Sequence, residues 1–358
     1  MVNPDIKIVV ENNSGTELGE FENAKDISLT RVLSSVGELV FTIPKEDPKF
    51  SLLSGLKSHL KVVRNGTVIW KGNYDFLREN LDSYVIFGST YEALMDYYLV
   101  VPDAPSTSTV RKFTGKKIAT EIIQVLFNEV TALSNSLLAF PFSMGTLENP
   151  YTPSTTTEMT VNMEFEYDTL LDVVQRGAYA GGADFEITTE KVLNFYRRKG
   201  ANKPNIVLHL KDLEPSNIRD FQKDTDFRRI GNDIYAFGVG VGVNFLKANS
   251  ADATSQSSYG LVQRNLGIPK NLVDQATLNK LVADQINLVK SPPSLTTPKV
   301  MPSGFDLFNG WDLGDNVYID IDHGGTLVTE YQRVIGVQLA YANNGAESIF
   351  VYLDFVRP

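Results

Sequence analysis

Several groups of side chains in this sequence have types and spacings that could do chemistry. Asp320-Ile321-Asp322-His323 places two carboxylates and an imidazole within four residues, an oxygen-and-nitrogen set suited to a divalent ion. Two residues apart on a strand, the carboxylates share one face, and with no further ligand nominated the simpler reading is a solvated acidic strand face. Gly238-Val239-Gly240-Val241-Gly242 follows a strand pattern and superficially matches a dinucleotide-binding turn, whose glycines let a pyrophosphate approach a helix N-terminus. The final G-x-x-G is missing and Val243-Asn244-Phe245-Leu246 leads into a polar stretch, so a glycine-rich strand or bulge is expected. Glu164 and Glu166 alternate with Met163, Phe165 and Tyr167, as a strand with one wet face does, and no glycosidase pair can be located among 43 carboxylates. His59, His209 and His323 lie outside any G-x-S-x-G elbow or H-E-x-x-H helix and read as surface or strand-end residues. Arg197-Arg198 and Arg228-Arg229 could meet a phosphate, an acidic partner or a subunit salt bridge. Trp70 and Trp311 could be sugar platforms, although Trp70 ends a hairpin strand and is better placed for packing. Asn12-Asn13-Ser14 and Asn65-Gly66-Thr67 match the glycosylation pattern where asparagine already serves a turn. The expectation is no catalytic residue, no cofactor and no metal.

The elements that would position these residues begin with β structure. Ile6 to Val10 is followed by the turn-forming Glu11 to Gly15. His59 to Arg64 and Thr67 to Gly72 flank Asn65-Gly66, the pair best able to take positive φ at both centres of a type I′ turn. Tyr84 to Phe87 is a further strand, and Tyr91 to Tyr98 reads equally as strand or helical turn. Two prolines near Val101 break the pattern before a helix over Thr114 to Leu133, N-capped by Thr114, with Ile118, Ile122, Val125 and Leu126 on one face. Leu138 to Thr157 reads as a long loop, and Asp168 to Ala180 as a helix stopped by Gly181-Gly182. A second β-rich stretch runs from Ile218 to Leu246. Lys247 to Ser258 reads as a loop, and a third helix carries Leu278, Leu281, Val282, Ile286 and Val289. Strands return at Asn316 to Ile321, Leu327 to Leu339 and Ser348 to Phe355. This order predicts two β modules, the second interrupted by an insertion.

Composition narrows the function classes. At roughly 150 residues per domain, 358 residues predict two to three domains with ample core. Cysteine is absent, which removes disulfides, thiolate metal sites and a cysteine nucleophile. A net charge of −10 argues against a grip on nucleic acid built on phosphate neutralisation. The sequence contains no apolar run long enough to span a bilayer, and its first residues lack a secretory pattern, so synthesis in a cytoplasm is expected.

Taken in order, these segments resemble the tail-hub proteins of bacteriophages, the family of baseplate hubs and the hub part of tail-associated lysins. The likeness rests on Val36-Gly37-Glu38-Leu39-Val40-Phe41-Thr42-Ile43-Pro44, the Leu60 to Gly72 hairpin with its Trp-Lys-Gly ending, and Leu170-Leu171-Asp172-Val173-Val174 with Gly181-Gly182. It extends to the hairpin ending in Arg197-Arg198-Lys199-Gly200, Ser258-Tyr259-Gly260 before the third helix, and Leu313-Gly314-Asp315-Asn316-Val317. The resemblance implies an α+β, mainly β fold: a tube-like β-barrel over 1–100, an α+β domain over 101–217, a second barrel over 218–248 and 301–358, and a small helical insertion over 249–300. It further implies a non-enzymatic structural protein of the virion tail tip. Three copies would close the distal end of the tail tube around the DNA channel, as a ring of six similar barrels. The implied partners are other copies of the chain in a homotrimer, a distal tail or tail-tube protein, a tape-measure protein, host-binding fibre or tip proteins, and DNA that passes without specific binding. Wall cleavage is expected to belong to another protein. The alternative is a carbohydrate-binding or glycan-hydrolysing tail appendage. In Asn316 to Asp322, Val317, Ile319 and Ile321 alternate with Tyr318, Asp320 and Asp322, so the apolar set should face a core and Asp320 and Asp322 outward; in the implied ring outward is taken as toward the channel, the outer surface of the ring being the alternative.

Overall fold

The computed structural model describes residues 5–100, 110–133, 141–152, 156–212, 215–238, 246–266, 275–292, 294–301, 308, 310–342 and 346–355. The fold is mainly β. The first module holds β1 (Ile6–Asn12), β2 (Glu17–Phe21), β3 (Lys25–Val32), β4 (Glu38–Pro44), β5 (Ser58–Arg64), β6 (Thr67–Glu79) and β7 (Ser83–Thr90). Its local signals are explicit. Asn65 and Gly66 take φ of 48° and 80°, the positive pair that a I′ hairpin needs. In β4, Leu39, Phe41 and Ile43 are buried while the residues between them are not, as a half-wet strand requires. Tyr91–Tyr97, which the sequence leaves open, is a 3₁₀ helix.

The middle part contains β8 (Arg111–Lys117), α1 (Gln124–Leu133), β9 (Ser143–Leu147), β10 (Thr160–Phe165), α2 (Leu170–Gly181), β11 (Asp184–Ile187) and β12 (Val192–Tyr196) around its own apolar core. Helical backbone starts at Ile118 rather than at Thr114, because Arg111 to Lys117 pairs as a strand with β10. The expected loop at Leu138 to Thr157 contains β9, which pairs in parallel with β12. In α2 the Thr169 side chain accepts the Asp172 N–H, and Gly182 closes the end at φ 60°, a left-handed position that glycine fills without strain.

The second module holds β13 (Asn202–Lys211) and β14 (Ile218–Thr225), then an insertion of β15 (Asp233–Phe237), β16 (Lys247–Ala251), α3 (Ala253–Tyr259), β17 (Gln263–Asn265) and α4 (Gln275–Val289), then β18 (Ser294–Val300), β19 (Asn316–His323), β20 (Thr326–Tyr341) and β21 (Glu347–Phe355). The insertion takes more of the chain on one side and less on the other than 249–300. β15 pairs with β16 and β17 and packs on α4, whereas β18 pairs with β14 and β21. Lys247 to Ser258 is strand and helix, not loop.

Two features organise the β modules. They share one continuous sheet, joined where β3 pairs antiparallel with the C-terminal half of β20, and one apolar core. They also repeat one another. The first runs β3-β4-β7-β6-β5-β1 and the second β14-β18-β21-β20-β19-β13, the same connectivity with strands in corresponding order. Both contain the same irregularity: register shifts after Tyr74 in β6 against β7, and after Val334 in β20 against β21. The two differ at the last pair. β1 runs antiparallel to β5 and β13 parallel to β19, because β1 reaches β3 through the extra strand β2 while β13 leads to β14 directly.

Candidate functional site

The charged side chains that the fold gathers lie where its parts meet. At the ends of β5 and β21, Arg64 donates through two nitrogens to the two oxygens of Glu347, each at 2.7 Å, with both side chains buried. This fork clamps the first module to the second. Arg333 of β20 reaches Asp184 of β11 at 2.5 Å and the Lys199 carbonyl at 2.8 Å. Lys199 meets Glu186 and, at 3.0 Å, Asp312, which Arg31 of β3 also contacts at 3.2 Å. Burial works to raise the Asp312 carboxyl, but Arg31 and Lys199 beside it hold it below the ordinary range.

A cavity of about 270 Å³ opens at this three-way meeting, lined by Arg31, Trp70, Glu92, Phe185, Lys199 and Asp312 among others. Glu92 is buried, and burial pushes its carboxyl up, although the Ile187 N–H donates to it at 2.9 Å. The ion pairs and hydrogen bonds here run from one part of the chain to another. They hold those parts in register.

A second polar cluster lies in the first module. Glu11 is buried between Lys61 at 2.9 Å and Lys71 at 2.8 Å; burial works upward on its carboxyl, and the two ammonium groups bring it below its ordinary value. His59, the second residue of β5, is buried, so of its reading as a surface or strand-end residue only the surface half is corrected. Its Nδ1 lies 3.2 Å from Asn73 Oδ1, and its Nε2 lies 3.0 Å from Asn13 Oδ1 and 3.1 Å from Lys191 Nζ. A neutral ring that donates from Nδ1 to Asn73 accepts at Nε2 from Lys191. Burial, with the Lys191 charge beside it, lowers the ring to about 4.

The residues singled out from sequence are scattered over the molecule. In β19, Val317, Ile319 and Ile321 are fully buried, Asp320 is half-buried with Lys211 at 2.9 Å, and Asp322 is exposed. His323 contacts Asp212. Among the described residues no group of three His, Asp or Glu side chains is arranged to hold a metal. His209 Nε2 meets the Pro215 carbonyl at 2.6 Å. Gly238 donates to the Leu246 carbonyl at 2.9 Å, between antiparallel β15 and β16, so a hairpin stands where a dinucleotide turn would need a helix; Gly240 and Gly242 lie outside the described residues. Glu164 pairs with Lys112 at 2.8 Å, and Glu166 lies beyond the end of β10. Arg197 stacks over Tyr151 and donates to the Asn149 carbonyl, and Arg228 pairs with Asp226 at 2.9 Å. Trp70 and Trp311 are both buried, which removes the sugar-platform reading. Asn12 Oδ1 accepts the N–H groups of Ser14 and Thr16 and so shapes a turn. No sequence signal could have found Arg64–Glu347 or Arg333–Asp184, whose members lie far apart in the chain.

No protein-family model matches the chain, and no curated protein matches it. Solved structures do. A tail protein from Neisseria meningitidis MC58 aligns over 98% of this chain and 96% of its own, at 14% identity and a TM-score of 0.65. The 43 kDa tail protein of prophage MuSo2 from Shewanella oneidensis aligns over 98% of each chain, at 15% identity and 0.64. Prophage tail protein gp18 from Listeria monocytogenes EGD-e aligns over 97% of this chain and 94% of its own, at 13% identity and 0.60. The chain has the fold of these tail proteins.

Proposed function

We propose that the chain is a structural tail hub of a phage-type particle: a homotrimer that closes the distal end of the tail tube, surrounds the DNA channel and anchors host-binding parts. The observation that carries this reading is the repeated strand order within one continuous sheet. Two like modules per chain give three chains six like units, which lets a threefold hub meet a sixfold tube. The tail-protein fold supports the same assignment, and the charges at the junctions have the pairing of a scaffold. Function is non-enzymatic in this reading, and the partners are the distal tail or tail-tube protein, the tape-measure protein and the fibre or tip proteins.

Three copies carry a formal charge of −30, which suits a wall that phosphate must pass without adhering. Asp320 and Asp322 face the channel in this reading, with Asp322 the more exposed of the two. Native mass spectrometry of the purified chain and electron microscopy of tails test the proposal. A threefold ring around the channel is expected. A sixfold ring of this chain, or a location outside the channel, would refute it.

A further inference from the structure

The repeat within the chain shows an edge that the second module fills and the first leaves open. β20 pairs with β19 up to Arg333; past that point the same edge pairs with β3, at Val337↔Arg31, Gln338↔Thr30 and Leu339↔Leu29. In the first module, β6 pairs with β5 up to Asn73, and past that point it pairs only with β7 among the described residues. Among the described residues no strand pairs with its edge from Asp75 to Glu79; the 3₁₀ turn Gly55–Lys57, just before β5, packs against β6 without adding a ladder. At the far end of the sheet β14 is bonded on one side to β18, and its other edge carries no ladder among the described residues. β14 is the counterpart of β3, the strand that fills the edge of β20.

The repeat also fixes a register. The shared irregularity makes Tyr74 the counterpart of Val334, so Leu77, Arg78 and Glu79 correspond to Val337, Gln338 and Leu339. Gly88 pairs with Tyr74 as Leu353 does with Val334. The strands next to these, paired Leu39↔Gly88 and Thr296↔Leu353, make Leu39 the counterpart of Thr296. Leu29↔Leu39 and Lys223↔Thr296 then make Lys223 the counterpart of Leu29, and Asp224 that of Thr30.

We infer that β14 of one copy of this chain adds to the open edge of β6 of another, with Arg78 opposite Asp224 and Glu79 opposite Lys223. This inference rests on the ring reading above and names its chain-to-chain contact. Within one chain the two edges are not paired with each other, and β18, β21, β20, β3, β4 and β7 separate them in the sheet. The register was set by backbone pairing alone, yet it places opposite charges across both positions where the internal junction has Gln338–Thr30 and Leu339–Leu29. All four charged residues are exposed; within the chain Glu79 meets Lys45 at 2.6 Å and Asp224 accepts from Gln222 at 2.9 Å, contacts on the surface that a neighbouring strand can share or displace, and cross-strand pairs of opposite charge favour pairing. Exposed apolar side chains lie at the same two edges. Phe76 is 48% and Phe227 63% exposed. Phe227 corresponds to Leu33, whose N–H donates to Ile335 at the internal junction at 2.9 Å. Each copy offers one edge of each kind, the head-to-tail arrangement that closes into a ring.

The absence of cysteine allows a direct test. Opposite residues on antiparallel strands have Cα atoms about 4.5–5.5 Å apart, within disulfide reach. The full chain carrying Arg78→Cys and Asp224→Cys, oxidised after assembly, should give a covalent series ending at a closed trimer. Arg78→Cys with Asp220→Cys, four residues along the strand, should not. Arg78→Glu should lose the trimer by native mass and Asp224→Arg in the same chain should restore it, circular dichroism confirming that each variant folds. A wild-type trimer whose 78–224 pair fails to cross-link, or cross-links no better than 78–220, would overturn this junction while leaving the ring. A wild-type chain that forms no trimer, free or on tails, would overturn the ring and the junction together.

Discussion

Replacing Arg64 by Met tests whether buried ion pairs hold the two β modules together. Arg64 and Glu347 retain 9% and 1% of their side-chain exposure, so neither charge has water to fall back on. Arg64→Met keeps most of the apolar stem and removes both 2.7 Å hydrogen bonds, leaving the Glu347 carboxylate buried without a cation. Breaking such a pair from one side costs about 3–5 kcal/mol, whereas replacing both partners with apolar side chains of similar volume is often close to neutral. Arg64→Met with Glu347→Leu should therefore be more stable than Arg64→Met alone, with a coupling of about 2–3 kcal/mol. Urea unfolding followed by tryptophan fluorescence suits the measurement, since Trp70 and Trp311 are buried one in each module. A single-variant cost below about 1 kcal/mol, or a double variant whose loss equals the sum of the singles, would refute the clamp.

Three further outcomes are expected. Gly72→Ala would place a Cβ 2.0 Å from the Ser89 carbonyl oxygen of the neighbouring strand; the backbone must give way, at a cost of about 3 kcal/mol read from the urea midpoint. His59 titrates near 4 in the folded protein against its ordinary 6.5. The unfolded chain thus takes up a proton first as pH falls, and the stability His59 contributes is whole above 6.5 and drains away between 6.5 and about 4. His59→Gln should flatten that part of the stability-against-pH curve, and an unchanged curve would count against a buried neutral ring. Asp320→Lys with Asp322→Lys should fold with a loss of about 1 kcal/mol or less, given that Asp320 gives up its contact with Lys211. Particles carrying it should eject DNA more slowly, most visibly at low salt; ejection at the parental rate at every salt concentration would refute the channel-facing assignment.

What the sequence showed of this fold was local. Asn65-Gly66, the Leu39-Phe41-Ile43 alternation, the α2 helix with its glycine stop and the buried face of β19 each follow from residues within one turn or one strand. What it hid was partnership. β16, with sequence Lys-Ala-Asn-Ser-Ala, buries only Ala248, so it has no apolar period to betray a strand. The helix after β8 begins late because pairing with β10 claims Arg111 to Lys117, a tertiary effect that capping rules do not see. The site was less legible than the fold. Asp320 and Asp322 stood out because they are close in sequence, while Arg64, Glu347, Asp184 and Arg333 meet only after the chain has folded.

The repeat explains why corresponding strands differ so much in composition. β3 and β14 hold the same place in their modules, but β3 is always covered by β20 and can present Leu29 to Leu339. β14, Ile-Arg-Asp-Phe-Gln-Lys-Asp-Thr, exposes six of its eight residues. An uncovered apolar edge would recruit any passing strand, and charged residues on edge strands are the usual protection. In the proposed ring the same charges acquire partners of opposite sign on β6, so a pattern that protects an uncovered edge would also select one register for assembly. If one module is covered from within and the other by another copy, as proposed, the two need edges of different chemistry, and β3 and β14 differ in that way.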